Sequence, residues 1–337
     1  MELLQELSPE VHGIDIRDKI NPFYLKLHPQ MMKLPFRVRN NWDKFILTKI
    51  NTLLLALIHE KKPDLVFVYN SEFLLPETCA EIKKKATLIF FMGDSPFYTP
   101  MNPYYLTCLT YADLILSPDT FWISQLNTLG IDKTLFFVTG IDSSSYNMIN
   151  EEEKLTEIES LDLLYVGASY VNSWGYKKAL LMSKFIGLNL KIYGNSAWKR
   201  WFRFFPELES VFTQTGYIPT VQLNKMFNKA KMTPVDGNPA ILNGYHIRLF
   251  EALGSGSLPL VEYRKDIEDL LFNGCNSELP FIKDYKKAGD LAKYYLKNEI
   301  ERKQLTKVLR EFISSRYNAR VNAEIIISAL KKVPISE

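Results

Sequence analysis

The sequence predicts an α/β chain of two doubly wound, parallel-sheet domains, and three observations carry that prediction. Short apolar runs alternate with helical patterns along most of the chain. The runs are continuous rather than alternating polar and apolar, as strands covered on both faces must be. Finally, a polar joint rich in Ser, Asn and Glu, "TGIDSSSYNMINEEEKLTEIES", separates two strand series and puts a domain boundary near Asn150. The expected domains are therefore residues 1–150 and 151–337. Strand–helix–strand repetition of this kind builds parallel sheets through right-handed crossovers.

The chain opens with "MELLQEL", which reads as a helix, followed by "EVHGIDIR" as a strand. A domain of this class ordinarily opens with a strand and a Gly-rich turn before its first helix. The first domain is thus expected to lack its opening strand, to replace it, or to have lost it with an upstream start. The expected strands of the first half are Asp64–Tyr69, Thr87–Met92, Asp113–Ser117 and Thr134–Thr139. The second half supplies Leu161–Gly167, Leu188–Gly194, Lys231–Val235 and Ser257–Glu262. Apolar residues recurring at three and four positions predict helices over Asp43–Lys61 and in "GYKKALLMSKFIG", "TVQLNKMFNKA" and "KAGDLAKYYLKNEIERKQLTKVLREFISSRY".

Composition narrows the function classes. With 337 residues, 47% of them hydrophobic and 23% charged, the chain can bury two cores and is not disordered. A net charge of +3 gives no concentrated basic footprint for nucleic acid. Cys79, Cys108 and Cys275 are isolated and form no CxxC or Cys/His pair at zinc spacing, which fits a reduced, cytoplasmic chain without structural metal. The amino terminus has no basic region followed by a long apolar run, so no signal peptide is read there. No apolar run approaches a membrane span.

The segment "GYHIRLFEALGSGSLPLV", Gly244–Val261, carries the most chemistry. It follows the strand Lys231–Val235 and a polar loop, so its helix, expected over His246–Leu253, should begin at the carboxyl edge of the sheet. Free N–H groups and the positive end of the helix dipole there suit a diphosphate. Arg248 can fork two phosphate oxygens. Glu251, one turn on, can accept hydrogen bonds from vicinal ribose hydroxyls. Gly254 and Gly256 permit a left-handed stop. The competing reading makes Arg248 and Glu251 an ordinary i,i+3 surface ion pair and the glycines a helix cap. Position after a strand and loop in the second half of the chain brings the two readings level.

The stretch "NGYHIRLFEALGSGSLPLVEYRKDIEDLLFNG" resembles the donor-binding segment of GT-B glycosyltransferases, and most closely that of the spore-maturation CgeB-like group. "LLYVGASYVNSWGYKKALL" resembles the strand and glycine turn that open the donor domain, and "LKIYGNSAW" its second strand and turn. "VTGIDSSSYN" resembles the interdomain stretch, and "LIFFMGDSP" an acceptor-domain strand ending in an acidic turn before proline. The resemblance runs from about Lys62 to the carboxyl terminus and is strongest over Leu161–Arg316. It implies two Rossmann-like domains facing across a cleft and a nucleotide-diphospho-sugar as co-substrate, with no other cofactor. Glu251 would grip the ribose, Arg248 the diphosphate, and Gly167 would form the turn near the phosphates. Related retaining enzymes have an E-x7-E pattern, and here Asn243 stands at the earlier position, where it can still hydrogen-bond a hydroxyl. The basic residue expected after "YVGASY" is shifted or absent. Lys177 and Lys178 are the nearest substitutes, or else a solvated helix face.

Two further candidates act on the chemistry. Asp94 should sit at the end of the Thr87–Met92 strand, as general base or orienting group for an acceptor hydroxyl, or as an Asx turn before Pro96. His246 could stabilise the leaving phosphate as a cation, or make an ordinary polar contact. Gly140 and Asp142 fit a hinge. No DxD pair marks a divalent-metal site, so transfer is expected to be metal-independent, with Arg248 and the helix terminus neutralising the departing diphosphate. "WKRWFRFF", Trp198–Phe205, and "MMKLPFRVRNNWDKF", Met31–Phe45, mix bases and aromatics. Each fits either a membrane surface that would bring a lipid-linked acceptor, or a packed core with solvated bases.

The expected activity is transfer of a hexose-type sugar to a hydroxyl of a glycan, protein or lipid-linked acceptor, with a retaining outcome by analogy only. The setting would be cell-surface glycan biosynthesis, in the cytoplasm or at the inner face of the membrane. The rival readings are a non-catalytic glycosyltransferase-like binding protein and a nucleotide-sugar epimerase of similar architecture.

Overall fold

The computed structural model describes residues 2–15, 20–31, 33–70, 73–97, 104–150, 160–237 and 240–332. Contacts divide the chain into two units. The first comprises residues 1–137 with 323–337, and the second residues 138–322. The changeover at Phe137/Val138 precedes the composition-based boundary near Asn150, and the last helix, Ala319–Lys332, carries the chain back into the first unit. Residues 151–159 of the polar joint lie outside the described residues.

The first unit holds a parallel sheet of four strands in sequential order: β1 (Leu65–Tyr69), β2 (Thr87–Phe91), β3 (Leu114–Ser117) and β4 (Thr134–Phe136). All four side chains of β3 are buried: three are apolar, and the Ser117 hydroxyl that ends it donates to the Asp119 carbonyl. Ile326 of the final helix joins Ile89, Leu114, Leu116 and Phe137 in the core of this unit. "MELLQEL" does form a helix, Glu2–Leu7. The strand expected from "EVHGIDIR" is not found: residues 10–15 take no regular structure, and Ile16 and Arg17 lie outside the described residues. Among the described residues no strand precedes Leu65. In its place stand two helices, Pro22–Met31 and Phe36–Lys61.

The second unit holds a six-stranded parallel sheet in the order β10-β9-β8-β5-β6-β7. Its strands are β5 (Leu161–Val166), β6 (Leu190–Gly194), β7 (Phe212–Gln214), β8 (Ala230–Val235), β9 (Leu258–Glu262) and β10 (Phe281–Ile282). The chain starts at the centre with β5, runs outward through β6 to β7, then returns to lay β8 against the other side of β5. This is the doubly wound order, and its direction reverses between β5 and β8. In such sheets ligands bind outside the carboxyl ends of the strands at that reversal. Every residue of β9 is buried, and Leu163 and Leu164 of β5 are fully so.

Of the nine expected strands, the eight from Asp64 onward form, within a residue or two at most ends, and "EVHGIDIR" does not; β4 stops at Phe136, three residues short. β7 and β10 were not read from the sequence. At three and two residues they are too short to carry a periodic signal. The long carboxyl-terminal helical pattern divides at Asn298, whose φ of −103° and ψ of 66° end one helix and begin the next. The Asn298 side chain donates to the Tyr294 carbonyl, offering the backbone a bond that competes with the helix.

Candidate functional site

Gly167 follows β5 directly, at the sheet reversal. Its N–H donates to the Tyr193 carbonyl at 2.9 Å. The turn it begins is held by groups from the segment after β6. Trp198 Nε1 donates to the Gly167 carbonyl at 2.9 Å, and Trp201 Nε1 to the Tyr170 carbonyl at 2.9 Å. The Asn195 amide both accepts from Ser169 N and donates to Ser169 O. The tryptophans of "WKRW" are therefore core and its bases solvated: Trp198 is 0% and Trp201 7% exposed, each indole N–H having a carbonyl to satisfy inside the unit, while Lys199 and Arg200 are exposed. A Cβ on Gly194 would lie 2.5 Å from both the Gly167 oxygen and Trp198 Nε1, so only glycine lets β6 pass this close.

The helix carrying Arg248 and Glu251 spans Arg248–Gly254, two residues shorter at its start than expected. Its first-turn N–H groups are already spent. His246 Nδ1 accepts from Arg248 N, the His246 carbonyl from Leu249 N, and the Ile247 carbonyl from both Phe250 N and Glu251 N. The expectation of free amides facing a diphosphate is thus corrected, because a preceding tight turn and the imidazole cap this helix. Gly254 is required by close approach, since a Cβ there would lie 2.7 Å from the Tyr146 oxygen. Gly256 takes φ +85°, the left-handed turn before β9.

The side chains of the helix do face a cavity. Arg248 Nη1 and Glu251 Oε2 approach to 2.6 Å, with 19% and 14% of their side chains exposed. Both atoms are buried, and neither makes a hydrogen bond to any further group. The Tyr146 hydroxyl donates to Glu251 Oε1 at 3.1 Å, and the Arg248 guanidinium lies 5.6 Å from the Phe227 ring centroid. Burial, then the Glu251 charge, push the Tyr146 phenol above its ordinary range, so it remains a donor. The cavity, about 390 Å³, is lined by Gly167, Tyr193, Asn195, Tyr217, Arg248 and Glu251 among others. That volume suits a small organic ligand. Tyr217, 86% exposed, stands at its wall.

The structure therefore brings Gly167, Arg248 and Glu251 together. His246 and Asn243 do not line this cavity. Burial first, then Arg248, lower the His246 pKa to about 4, which makes the ring as it stands here neutral near pH 7. The Asn243 carbonyl accepts from Asp266 N at 2.9 Å, which ties its loop to the segment after β9.

Lys177 and Lys178 are neither a solvated face nor free cations. Lys178 Nζ lies 2.9 Å from Asp236 Oδ2 and donates to the Tyr165 hydroxyl at 2.9 Å, and that hydroxyl donates to Asp236 Oδ1 at 2.7 Å. Burial opposes the Lys178 charge, but Asp236 and Tyr165 outweigh it and hold its pKa above the ordinary lysine value. Burial likewise opposes the Asp236 charge, and Lys178 with the Tyr165 hydrogen bond outweigh it, keeping this carboxyl below the usual range. Lys177 Nζ lies 2.7 Å from Glu262 Oε1, and Glu262 Oε2 also accepts from Gly237 N at 2.8 Å. These networks bolt the carboxyl ends of β5, β8 and β9 together beneath the cavity.

In the first unit, Asp94 lies just past β2. Its Oδ2 accepts from Asn70 Nδ2 at 3.0 Å, while Asn70 Oδ1 accepts from Gly93 N and Asp94 N. Asn70, at φ +43°, thus clamps the acidic turn across the ends of β1 and β2. In place of the Asx turn expected before Pro96, Ser95 makes a serine turn across it, its Oγ accepting from Phe97 N. Among the described residues no three His, Cys, Asp or Glu side chains converge in a way that would hold a metal.

The fold is that of the GT-B class, two Rossmann-like units built on parallel sheets. Residues 177–328 match the family described as glycosyl transferase-like. HepE of Anabaena, solved with UDP and glucose, superposes with a TM-score of 0.62 at 10% identity, over 84% of this chain and 81% of that one. Sucrose-phosphate synthase of Thermosynechococcus elongatus gives 0.63 at 12% identity, over 85% and 77%. A putative UDP-N-acetylglucosamine 2-epimerase of Listeria monocytogenes gives 0.52 at 15% identity, over 86% and 78%. No curated protein matches the chain.

Proposed function

We propose that the protein transfers a glycosyl group from a nucleotide-diphospho-sugar to a hydroxyl of a glycan, protein or lipid-linked acceptor, of the hexosyl type, without a metal. The observation that carries this reading is the Arg248–Glu251 pair in the cavity at the sheet reversal, where two buried charged atoms have no partner but each other. Such atoms are poised to exchange each other for a ligand. Arg248 would turn to the diphosphate, and Glu251 would accept from the two ribose hydroxyls. With the first-turn amides occupied, neutralising the departing diphosphate falls to the Arg248 guanidinium. The acceptor oxygen attacks the anomeric carbon, the bond from that carbon to the phosphate oxygen breaks, and the acceptor proton leaves to a base. Asp94, at its strand end, is the base or orienting group we assign. His246, neutral, serves as a hydrogen-bonding group rather than a cation. Asn243 is assigned a contact to a sugar hydroxyl. The resemblance to retaining and CgeB-like enzymes favours retention and a place in cell-surface glycan synthesis, on the cytoplasmic side.

Binding at 100 times Kd stabilises a folded protein by about 2.7 kcal/mol. A thermal-shift panel of UDP, GDP, dTDP and CDP should therefore raise Tm with at least one of them, and Glu251→Ala should remove most of that shift. No shift with any of the four would sink the donor site. A second reading, a nucleotide-binding protein without catalysis, is favoured by Asn243 standing where a carboxylate is expected. It predicts a thermal shift but no nucleotide release from any nucleotide sugar in a donor screen.

A further inference from the structure

We infer that the two amino-terminal helices, Pro22–Met31 and Phe36–Lys61, present a docking surface for an anionic lipid bilayer. Four aromatic rings cluster there. Tyr24 lies 6.0 Å from Phe23, 5.6 Å from Phe45 and 6.0 Å from Trp42, centroid to centroid. One side of the cluster is core, where Tyr24 and Trp42 pack on Ile20, Ile46 and Ile50. The other side is open: Phe23 is 64% and Phe45 47% exposed, and Val38 and Leu34 extend the apolar surface at 46% and 41%. Exposed apolar side chains gathered in one place, rather than scattered singly, mark an interaction surface.

Charge selects the occupant. Lys26, Lys33, Arg37, Lys44 and Lys49 on and between these helices are all exposed, and Asp43 is the one acidic residue between positions 20 and 50. Lys49 Nζ lies over the Tyr24 ring, 4.7 Å from its centroid, so a positive charge is held on the aromatic cluster itself. Protein–protein interfaces enrich aromatics but deplete lysine, which counts against a protein partner on a surface with four lysines. Val38 and Leu34 have no face on which a nucleobase could stack. Aromatic rings seated at headgroup level with lysines reaching anionic lipid satisfy both features at once. No helix among the described residues is long and apolar enough to cross a membrane, so the contact is interfacial. The "WKRWFRFF" segment had the same composition, but its two tryptophans are spent on the Gly167 turn.

The test is co-sedimentation of the full chain with vesicles of phosphatidylcholine alone and of phosphatidylcholine with phosphatidylglycerol. Binding is expected to the anionic vesicles at low salt, with little to the neutral ones. The double variant Phe23→Ser/Phe45→Ser keeps every charge and should weaken binding at least about tenfold. Lys26→Glu/Lys44→Glu keeps every ring and should weaken it as much. Circular dichroism and the nucleotide thermal shift should be unchanged in both, which separates this surface from the donor site. Absence of binding to anionic vesicles at low salt overturns the inference. So does binding that the aromatic variant leaves intact, which would mean a diffuse basic attraction, or binding that nuclease treatment abolishes, which would mean nucleic acid.

Discussion

The Tyr146 hydroxyl donates to Glu251 Oε1 at 3.1 Å across 105 residues of chain, tying the opening segment of the second unit to the helix of the candidate site. This bond fixes one carboxylate oxygen and leaves the other, Oε2, against Arg248. Tyr146→Phe should therefore loosen Glu251 while the ring keeps its packing beside Phe227. Nucleoside diphosphate affinity should drop about fivefold, the equivalent of one hydrogen bond of about 1 kcal/mol. Titration calorimetry on the two proteins decides it, and an unchanged Kd would remove Tyr146 from the site.

Lys178→Met should destabilise the fold by about 3–5 kcal/mol, because it strands the buried Asp236 carboxylate. Lys178→Met/Asp236→Leu should recover much of that loss. Urea denaturation of both variants measures the difference. A single variant as stable as the double one would show that Asp236 finds another partner.

The same network sets an acid limit. Asp236 has a folded pKa below its unfolded one, so its contribution is present above the unfolded carboxylate range and is lost as pH falls through the folded value. Lys178, raised, contributes below its unfolded pKa and loses that contribution only as pH climbs through the folded one, far into alkali. Denaturant midpoints should thus fall steeply below about pH 4, and Asp236→Asn should flatten this limb while lowering stability at neutral pH.

His246 predicts a separate slope. Its folded pKa lies near 4 against an ordinary 6.5, so the unfolded chain binds the extra proton across that interval. Stability should fall as pH drops from 6.5 towards 4, by at most about 3 kcal/mol and by less where solvent reaches the ring. His246→Gln should remove that slope. An NMR titration placing the His246 midpoint above 6 would refute it.

Gly194→Ala should push the Gly167 turn out of place, because its Cβ has no room beside the Gly167 oxygen and Trp198. Stability should fall by about 1–3 kcal/mol. Nucleotide affinity should fall as well, and this second effect tells a site-bearing turn from a merely structural one. Ala at Gly187, which has open space around it but φ +88°, should cost stability through strain alone and leave nucleotide affinity intact.

Much of the fold was legible in the chain because strands buried on both faces need uninterrupted apolar runs. "LDLLYVG" and "SLPLVE" could not be mistaken for half-solvated strands, and both form within a residue of expectation. β7 and β10 were invisible, since a pair of strands so short is made by the neighbour that hydrogen-bonds it. Within the candidate site, Arg248 and Glu251 were readable because helical spacing is a local property, and Gly167 through the resemblance of its strand and turn. Asn195, Tyr193 and Tyr217 gave no local signal: they reach the cavity only because β6 stands beside β5 and β7 beside β6.

By itself the sequence determined the α/β class, the alternation of elements and the pair of side chains one helical turn apart, all set by periodicity and backbone propensity. Only the tertiary structure decided what charges do. Lys177 meets Glu262 across 85 residues and Lys178 meets Asp236, so two apparent surface cations become internal bolts. The first turn at Arg248 looked open and proved closed by His246. The two basic-aromatic segments, alike in composition, parted company: in one the two tryptophans donate to carbonyls inside the unit and are buried, and in the other Phe45 stays 47% exposed. Propensity acts through neighbours in the chain, whereas burial and ion pairing depend on neighbours in space, which the sheet order supplies.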